Sequence, residues 1–323
     1  MRGIRTGVIA AALAVLIGAA ANAQTFPQQA VTMIVPFPPG GGTDTGSRLI
    51  AQKLSEKWGQ QVVVDNKPGA AGIVGLEIAS KAKPDGYTIV MGNIGTQAIN
   101  QSLYKKLPYN SDTAFTPITL VAELPLVLVV NPSTSAKTTT ELIALAKSKP
   151  GELTYSTSGN GSSMHLAAAL FENQAGLKFT HVPYKGGGPA MADLMAGQVD
   201  LYFGGLSTAL PHARAGKMRA LGQTLLERSP AAPDIPTIAE AGLPGYEAAI
   251  SYGIFVPAGT PALLVGRLHD AVDATIRSPE IARRFTELGA DPQFGSPAEF
   301  ATYVAEDLAK WARLAKEAGL KAE

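Results

Sequence analysis

The chain has 323 residues, of which 46% are hydrophobic and 16% charged, a composition too apolar for a disordered protein. Its 27 Lys and Arg residues nearly balance 26 Asp and Glu residues, so the net charge of +1 gives no basic excess for binding nucleic acid. Cysteine is absent, which excludes disulfides, thiolate metal sites and cysteine nucleophiles. The length suffices for one large domain or two of ordinary size.

The first residues have the pattern of an export signal. Arg2 and Arg5 precede an apolar run over residues 7–20, and Ala21 and Ala23 fit the small-residue positions of a cleavage site. A membrane anchor is the alternative, but the run is short for a bilayer span. We therefore predict a signal peptide over residues 1–23, cleavage after Ala23 and a soluble periplasmic product.

The chain that follows alternates strands and helices. Short β-branched runs predict strands, and apolar residues at helical spacing predict helices. In chain order, the first predicted elements are a strand over 31–36, a helix over 45–58, a strand over 61–64, a helix over 72–81 and a strand over 87–91. This order indicates a parallel sheet with right-handed crossovers.

A second α/β unit follows the first. Its predicted strands are 126–130, 154–156, 179–182 and 199–203, and its predicted helices are 138–149, 163–175 and 189–196. Thr138 and Glu141 form a capping box at the start of the first of these helices. No polar linker separates the two units, which indicates domains joined by strands rather than by a flexible tether.

After a strand over 254–256, the tail is helical. Pro261, Pro279 and Pro297 each stand at the predicted first residue of a helix, and Ser296 with Glu299 forms a second capping box. The last helix carries an apolar stripe, which we interpret as core packing rather than a partner surface. The stripe consists of Phe300, Tyr303, Val304, Leu308, Trp311 and Ala315.

Catalytic and metal-binding motifs are missing from the sequence. It contains no G-x-S-x-G, H-E-x-x-H or P-loop motif, and none of the four histidines lies three or four residues from another. A dispersed Ser-His-Asp triad stays open, because a fold can assemble one from distant residues. We expect a protein that is not an enzyme and that carries no cofactor and no metal.

Three small-residue loops, each between a predicted strand and a helix, are the strongest functional signal. Such loops lie at the carboxyl ends of parallel strands, where glycine N–H groups and helix amino ends favour an anion. The alternative is that they are only tight turns. The candidate residues in these loops are Phe37, Gly40, Gly41, Gly42, Thr43 and Asp44; Ser156, Ser158, Gly159, Ser162, Ser163 and His165; and Tyr184, Lys185, Gly186, Gly187 and Gly188.

Several of these residues have a second interpretation. Asp44 either caps its helix or contacts the ligand, and Phe37 either packs in the core or lines the pocket. His165 either caps or packs its helix or contacts the ligand, and Lys185 either binds or is solvated. Asn93 and Thr96 form a possible fourth loop with the same ambiguity.

The sequence also resembles a known receptor family along most of its length. The matching segments occur in one order and spacing: PFPPGG from residue 36, VDNKPGA from 64, KPDGY from 83, SLYKKLPY from 102, SGNG from 158, VPYKG from 182, PTIAEAG from 236 and PAGTP from 257. In this combination they resemble the receptors of the tripartite tricarboxylate transporter family, also called Bug or TctC-like proteins.

The resemblance implies an α/β periplasmic binding protein of the type II-like class. Each of two lobes is then a mainly parallel sheet flanked by helices, with the ligand cleft between the lobes. We expect residues 24–125 and 251–323 to form the first lobe and residues 126–250 the second. The crossing strands near Leu124, Pro125 and residues 251–253 are the expected hinge.

The family also implies a small organic carboxylate as ligand and adds Gly204 and Ser207 to the candidate site residues. Many relatives have a polar residue at the position of Gly204, so a side-chain contact is in doubt there. The implied partner is a two-component integral membrane permease, and we expect a monomer that binds no nucleic acid. Two alternatives stay open, namely a protein that presents its ligand to a membrane sensor and a periplasmic hydrolase.

Overall fold

The computed structural model describes residues 26–40, 42–93, 100–104, 106–184 and 186–317. The strands of these residues are β1 Val31–Val35, β2 Val62–Asn66, β3 Thr88–Asn93, β4 Phe115–Val130, β5 Thr154–Thr157, β6 Thr180–Pro183, β7 Leu201–Gly205, β8 Arg219–Gln223, β9 Ala249–Pro257 and β10 Asp291–Pro292. The helices are α1 Gly42–Trp58, α2 Ile73–Ser80, α3 Asn100–Leu103, α4 Thr139–Ser148, α5 Ser163–Ala175, α6 Gly187–Met195, α7 Leu206–Arg214, α8 Ala262–Ile276, α9 Pro279–Glu287 and α10 Pro297–Glu317. The predicted signal peptide lies outside the described residues.

The strands join in the order β2-β1-β3-β9-β4-β7-β5-β6, with β8 and β10 also paired to β4. The first sheet consists of β1, β2, β3, β9, β10 and the first part of β4; the second consists of β5, β6, β7, β8 and the last part of β4. Helices pack on both sheets, so the chain is an α/β protein in two lobes, as the sequence predicted. The lobe boundaries themselves stay a prediction.

Strand β4 crosses from one sheet to the other. It pairs with β9 from Phe115 to Pro125 and with β7 from Leu126 to Val130. The sequence predicted only residues 126–130 as strand, because the earlier half contains Pro117 and lacks a continuous apolar run. Its extended conformation is imposed by antiparallel pairing with β9, which tolerates two irregularities in register.

Helix α10 packs on both lobes. Its capping box forms as predicted: the Glu299 carboxylate accepts the Ser296 N–H at 2.7 Å, and the Ser296 hydroxyl accepts the Glu299 N–H at 3.2 Å. Phe300 lies in a core cluster of the first sheet, whereas Trp311 lies in a core cluster of the second. Phe300, Trp311 and Ala315 of the predicted stripe are therefore core, whereas Tyr303, Val304 and Leu308 are half-buried against it. The stripe spans the crossing of β4.

Other predicted elements differ in their limits. Helices α1 and α6 begin three and two residues earlier than predicted, at Gly42 and Gly187, because glycine gives a weak helix signal. Helix α7 and strand β8 were not predicted, and α7 contains an internal proline, Pro211. Pro261 is the N-cap of α8 rather than its first residue. Among the described helices, none has the length and apolar character of a membrane span.

Candidate ligand-binding site

The carboxyl ends of the parallel strands in both sheets meet at one segment of β4. In the first sheet, β1 and β3 are parallel, and β3 ends at Asn93, opposite Tyr252 of β9. Strand β9 in turn places Ile250 opposite Leu124 of β4. In the second sheet, β7 ends at Gly205, opposite Leu126 of β4. The two carboxyl edges are thus joined at the β4 crossing, the place where open α/β sheets bind ligands.

The loop after β1 is organised by the carboxylate of Asp44, which is 3% exposed. Its Oδ2 accepts the Gly40 N–H at 2.9 Å, and its Oδ1 accepts the amide of Asn66 at 2.9 Å. Arg48 adds a bidentate pair at 3.1 and 2.9 Å. Asp44 lies within the first turn of α1 rather than at an N-cap, and it fixes Gly40, whose φ of 86° suits glycine.

The charge of Asp44 is stabilised despite burial. Burial by itself favours the protonated form, but the hydrogen bonds from Arg48, the Gly40 N–H and Asn66 outweigh it and lower the pKa of this carboxyl. Arg48 and Asn66 also bond to each other at 2.9 Å. Asp44 is therefore ionised at neutral pH, and its oxygens are occupied by protein donors.

Tyr252 underlies the amino end of α1. A Cβ built on Gly42 would lie 2.7 Å from the Tyr252 hydroxyl oxygen, so a side chain at this position has no room. The same hydroxyl is hydrogen-bonded to the buried side chain of Thr43, and burial raises the pKa of Tyr252. Phe37 packs partly buried against the first-sheet core.

The loop after β5 is closed by its own polar groups. The Gly159 N–H donates to the Thr157 hydroxyl at 3.2 Å, and the Ser162 N–H donates to the Gly159 carbonyl at 3.2 Å. Ser162 is the N-cap of α5, since its hydroxyl accepts the His165 N–H at 3.3 Å. Ser158 and Ser163, half-buried in this loop, flank these bonds.

A cluster of three rings lies next to this loop. His165 stacks on His181 with a centroid distance of 4.1 Å, and His181 stacks on Tyr155 at 4.8 Å. The Gly161 N–H donates to Nδ1 of His165 at 3.0 Å, so the ring is neutral with its proton on Nε2. Burial, together with His181, lowers the pKa of His165 to about 4.

The loop after β6 is seated on Tyr202. A Cβ built on Gly187 would lie 2.9 Å from the Tyr202 hydroxyl oxygen, which itself donates to the Gly187 carbonyl at 3.4 Å. The Tyr184 N–H donates to the Thr157 carbonyl at 3.0 Å, which joins this loop to the one after β5. The fully buried hydroxyl of Ser156 donates to the Ala190 carbonyl at 3.1 Å and so holds α6 on β5. Gly186 and exposed Gly188 flank the start of α6.

Gly204 is buried at the end of β7. A Cβ there would lie 2.6 Å from the ring of Tyr202, so the missing side chain is what lets that ring lie across the strand. Ser207, in the first turn of α7, lies against Gly289, between α9 and β10, where a built Cβ would meet Ser207 Cβ at 2.5 Å. Ser207 thus contacts a segment that leads back to the first sheet.

The structure places Gly42 near Tyr252 and Leu124 at the β4 crossing and puts Gly204 and Ser207 at or just after the end of β7, whereas three candidate residues are undescribed. Gly41, Thr96 and Lys185 lie outside the described residues. The sequence did not predict the residues that support these loops from other segments. Their hydrogen bonds and packing contacts form only when distant segments come together in the fold. These supporting residues are Arg48, Asn66, Thr157, His181, Tyr202 and Tyr252.

Cavities of about 450, 580 and 260 Å³ lie elsewhere on the described surface, one beside Arg214 and Asp234, one beside Phe115 and Val304, and one beside Lys310. None of these cavities is lined by a candidate residue. In the described part of the chain, no three His, Asp or Glu side chains are placed to hold a metal ion.

Two sheets that share a crossing strand, with helices following the carboxyl ends of their parallel strands, are the architecture of a two-lobed solute-binding protein. The family model for the tripartite tricarboxylate transporter family receptor matches residues 47–320. The chain belongs to this receptor family, which confirms the resemblance found in the sequence.

Similar proteins agree with this assignment. A protein from Pseudomonas sp. strain P51, described as a UPF0065 protein in the tcbD-tcbE intergenic region, is 40% identical over 92% of this chain and 88% of its own length. The structure of R. palustris Rpa4515 with adipate is 39% identical with a TM-score of 0.80, covering 92% of this chain and 99% of that one. MatC from Rhodopseudomonas palustris with bound malate is 34% identical with a TM-score of 0.76, covering 90% and 99%.

Proposed function

We propose that this protein is a periplasmic receptor that holds a small organic carboxylate between its two lobes and delivers it to a two-component membrane permease. The observation that carries the proposal is topological: α1, α5, α6 and α7 each follow the carboxyl end of a strand in one of the two parallel sets, and the two sets are joined through β4. The first-turn N–H groups of a helix have no partner within that helix, and its amino end is electropositive. Four such ends at one junction favour an anion.

The hydrogen bonds refine which groups would meet the ligand. The N–H groups of Gly40, Gly159 and Gly161 donate to protein acceptors, so these glycines shape the loops rather than bind. The ligand donors of the proposal are instead the first-turn amides of the four helices and the side chains of Ser163 and Ser207, since the Thr43 side chain is already bonded to Tyr252. The adipate and malate held by two similar structures are dicarboxylates, which suit two lobes that each offer donors.

The proposed site is completed by closure of the lobes. Strands β4 and β9 are the proposed hinge, because they connect the sheets near Leu124 and Ala249. A micromolar dissociation constant requires only about −8 kcal/mol, which a few charge-assisted hydrogen bonds and burial of the ligand body supply.

The decisive variant is Ser163→Asp, with Ser163→Asn as its neutral control. An acidic residue in the first turn stabilises a helix, so the fold is kept while a negative charge faces the site. At about 5 Å and an effective dielectric constant near 20, repulsion of a carboxylate is about 3 kcal/mol. We expect calorimetric affinities for adipate and malate to fall by roughly 10- to 100-fold in Ser163→Asp and to change little in Ser163→Asn.

A panel of mono-, di- and tricarboxylates, neutral sugars and polyamines tests the ligand class. Ligand at about 100 times its dissociation constant raises stability by about 2.7 kcal/mol, which shifts the melting temperature measurably. Shifts produced only by sugars or polyamines would contradict the proposal. Delivery is tested by capture of membrane proteins on the immobilised receptor with and without ligand, where recovery of a sensor rather than a permease would reassign the partner.

A further inference from the structure

Two histidines, His165 and His181, are connected to the loop after β5. Its Nδ1 accepts the Gly161 N–H, and its ring lies on that of His181, whose Nε2 is 2.7 Å from the Thr157 hydroxyl oxygen. Thr157 in turn binds both the N–H and the carbonyl of Gly159 at 3.2 Å. Each histidine is thus connected to one glycine of the loop, one directly and one through a hydroxyl.

The two rings differ in exposure. His165 is 8% exposed, whereas His181 is half-buried and contacts the Tyr155 ring at a centroid distance of 4.8 Å. A charged group also acts on this cluster: burial and then Glu172, two turns along α5, raise the pKa of Tyr155, and the Glu172 carboxylate accepts the Phe179 N–H at 2.6 Å and is influenced by Lys178. Two imidazolium ions 4.1 Å apart would repel each other, and a protonated Nδ1 cannot accept the Gly161 N–H.

We propose that His165 and His181 are positioning residues: as a neutral stacked pair they hold the Ser158–Ser162 loop in its binding conformation, and protonation of His165 releases that loop. The inference deepens the proposed function, because the loop leads into the amino end of α5. It assigns to the site a proton-dependent affinity that comes from the protein rather than from the ligand. Burial lowers the pKa of both rings, which keeps the pair neutral near pH 7.

The test compares wild type with His165→Asn and His165→Phe. Asparagine places an acceptor oxygen near the position of Nδ1 but does not titrate, whereas phenylalanine keeps the stacked ring and removes the acceptor. His181→Phe is the matched variant for the second ring. The ligand-free readout is hydrogen exchange of the Gly161 amide by NMR from pH 8 to pH 3.5, a range that extends below the pKa of His165. The binding readout is the affinity for malate or adipate at the same pH values.

In wild type, we expect Gly161 protection to fall as the pH is lowered, and the affinity to fall by roughly 3- to 10-fold more than in His165→Asn. The ratio of the two proteins' affinities at each pH cancels the effect of ligand titration, because the ligand is the same in both measurements. His165→Phe should lose Gly161 protection at every pH and bind roughly 3- to 10-fold more weakly, as expected for one lost hydrogen bond.

Equal Gly161 protection in wild type and His165→Phe, or identical pH profiles in wild type and His165→Asn, overturns the inference. If no carboxylate binds to wild type, the proposed function fails, whereas the exchange experiment still decides whether the histidines hold the loop. The two failures are therefore distinguishable.

Discussion

The loops after β1 and β5 each follow the carboxyl end of a parallel strand and lead into a helix, but they are fixed by opposite chemistry. The first loop is fixed by an ionised carboxylate, Asp44, which collects donors from Gly40, Asn66 and Arg48. The second is fixed by a neutral imidazole, His165, and by hydroxyl groups. The first loop is therefore stable only while Asp44 is ionised, whereas the second is stable only while His165 is neutral.

The difference sets the pH range in which each loop is stable. Asp44 has a lowered pKa, so its contribution is complete above its unfolded pKa of 3.8 and is lost as pH falls through the still lower folded value. His165 also has a lowered pKa, from 6.5 to about 4, but here the neutral form is the folded one. Its contribution is lost between those two values as pH falls. Acid therefore loosens the second loop first.

The largest effect is expected for Asp44→Ala. The change removes the shared acceptor of three donors and leaves the Gly40 N–H and the Asn66 amide without it, a cost of about 3 kcal/mol after allowance for the half-exposed Arg48. Chemical denaturation measures this loss. Asp44→Asn should lose less stability, because one acceptor oxygen of the side chain is kept. A loss no larger than that of the exposed control Asp270→Ala would show that the network does not hold the first loop.

Acidification is expected to have the next largest effect. Between pH 8 and pH 5, the unfolded chain takes up a proton at His165 that the folded chain refuses, which lowers the free energy of unfolding by about 2 kcal/mol. The measurement is the difference between wild type and His165→Asn, since other titrating groups cancel in it. Parallel stability curves for the two proteins would mean that His165 is not desolvated in the folded state.

Alanine at Gly42 or Gly187 should cost about 1–2 kcal/mol in each lobe, because its Cβ meets a tyrosine hydroxyl at 2.7 or 2.9 Å. Thermal melting of Gly42→Ala with and without Tyr252→Phe, and of Gly187→Ala with and without Tyr202→Phe, tests the cause. Replacing the tyrosine by phenylalanine should restore most of the lost stability. Gly266→Ala, in an open part of α8, is the control and should be neutral or stabilising by about 0.5–1 kcal/mol.

The smallest effect is expected for Tyr202→Phe alone. Its hydroxyl makes only long contacts, 3.3 Å to the Met164 sulfur and 3.4 Å to the Gly187 carbonyl, so the cost is about 0.5 kcal/mol. Tyr246→Phe should cost more, about 1–1.5 kcal/mol, because that fully buried hydroxyl donates to the Ala167 carbonyl at 2.8 Å. Equal losses in the two variants would contradict this ranking of the contacts.

Local signals in the sequence were sufficient for much of the fold. Helix α5 has the predicted limits, and the capping residues Thr138 and Ser296 act as predicted, because a cap depends on residues three positions apart. Strand β4 was predicted only in part, since its first half is held by pairing with β9, more than one hundred residues later in the chain.

The same distinction applies to the candidate site. The sequence by itself determined which loops follow parallel strands, and topology then requires those loops to share an edge. It did not determine what each polar group does there. Asp44 bonds to Asn66, 22 residues away, and His165 stacks on His181 from a neighbouring strand. Such partners are set by register and packing between distant segments, so only the tertiary structure decided that one loop is held by a charge and the other by its absence.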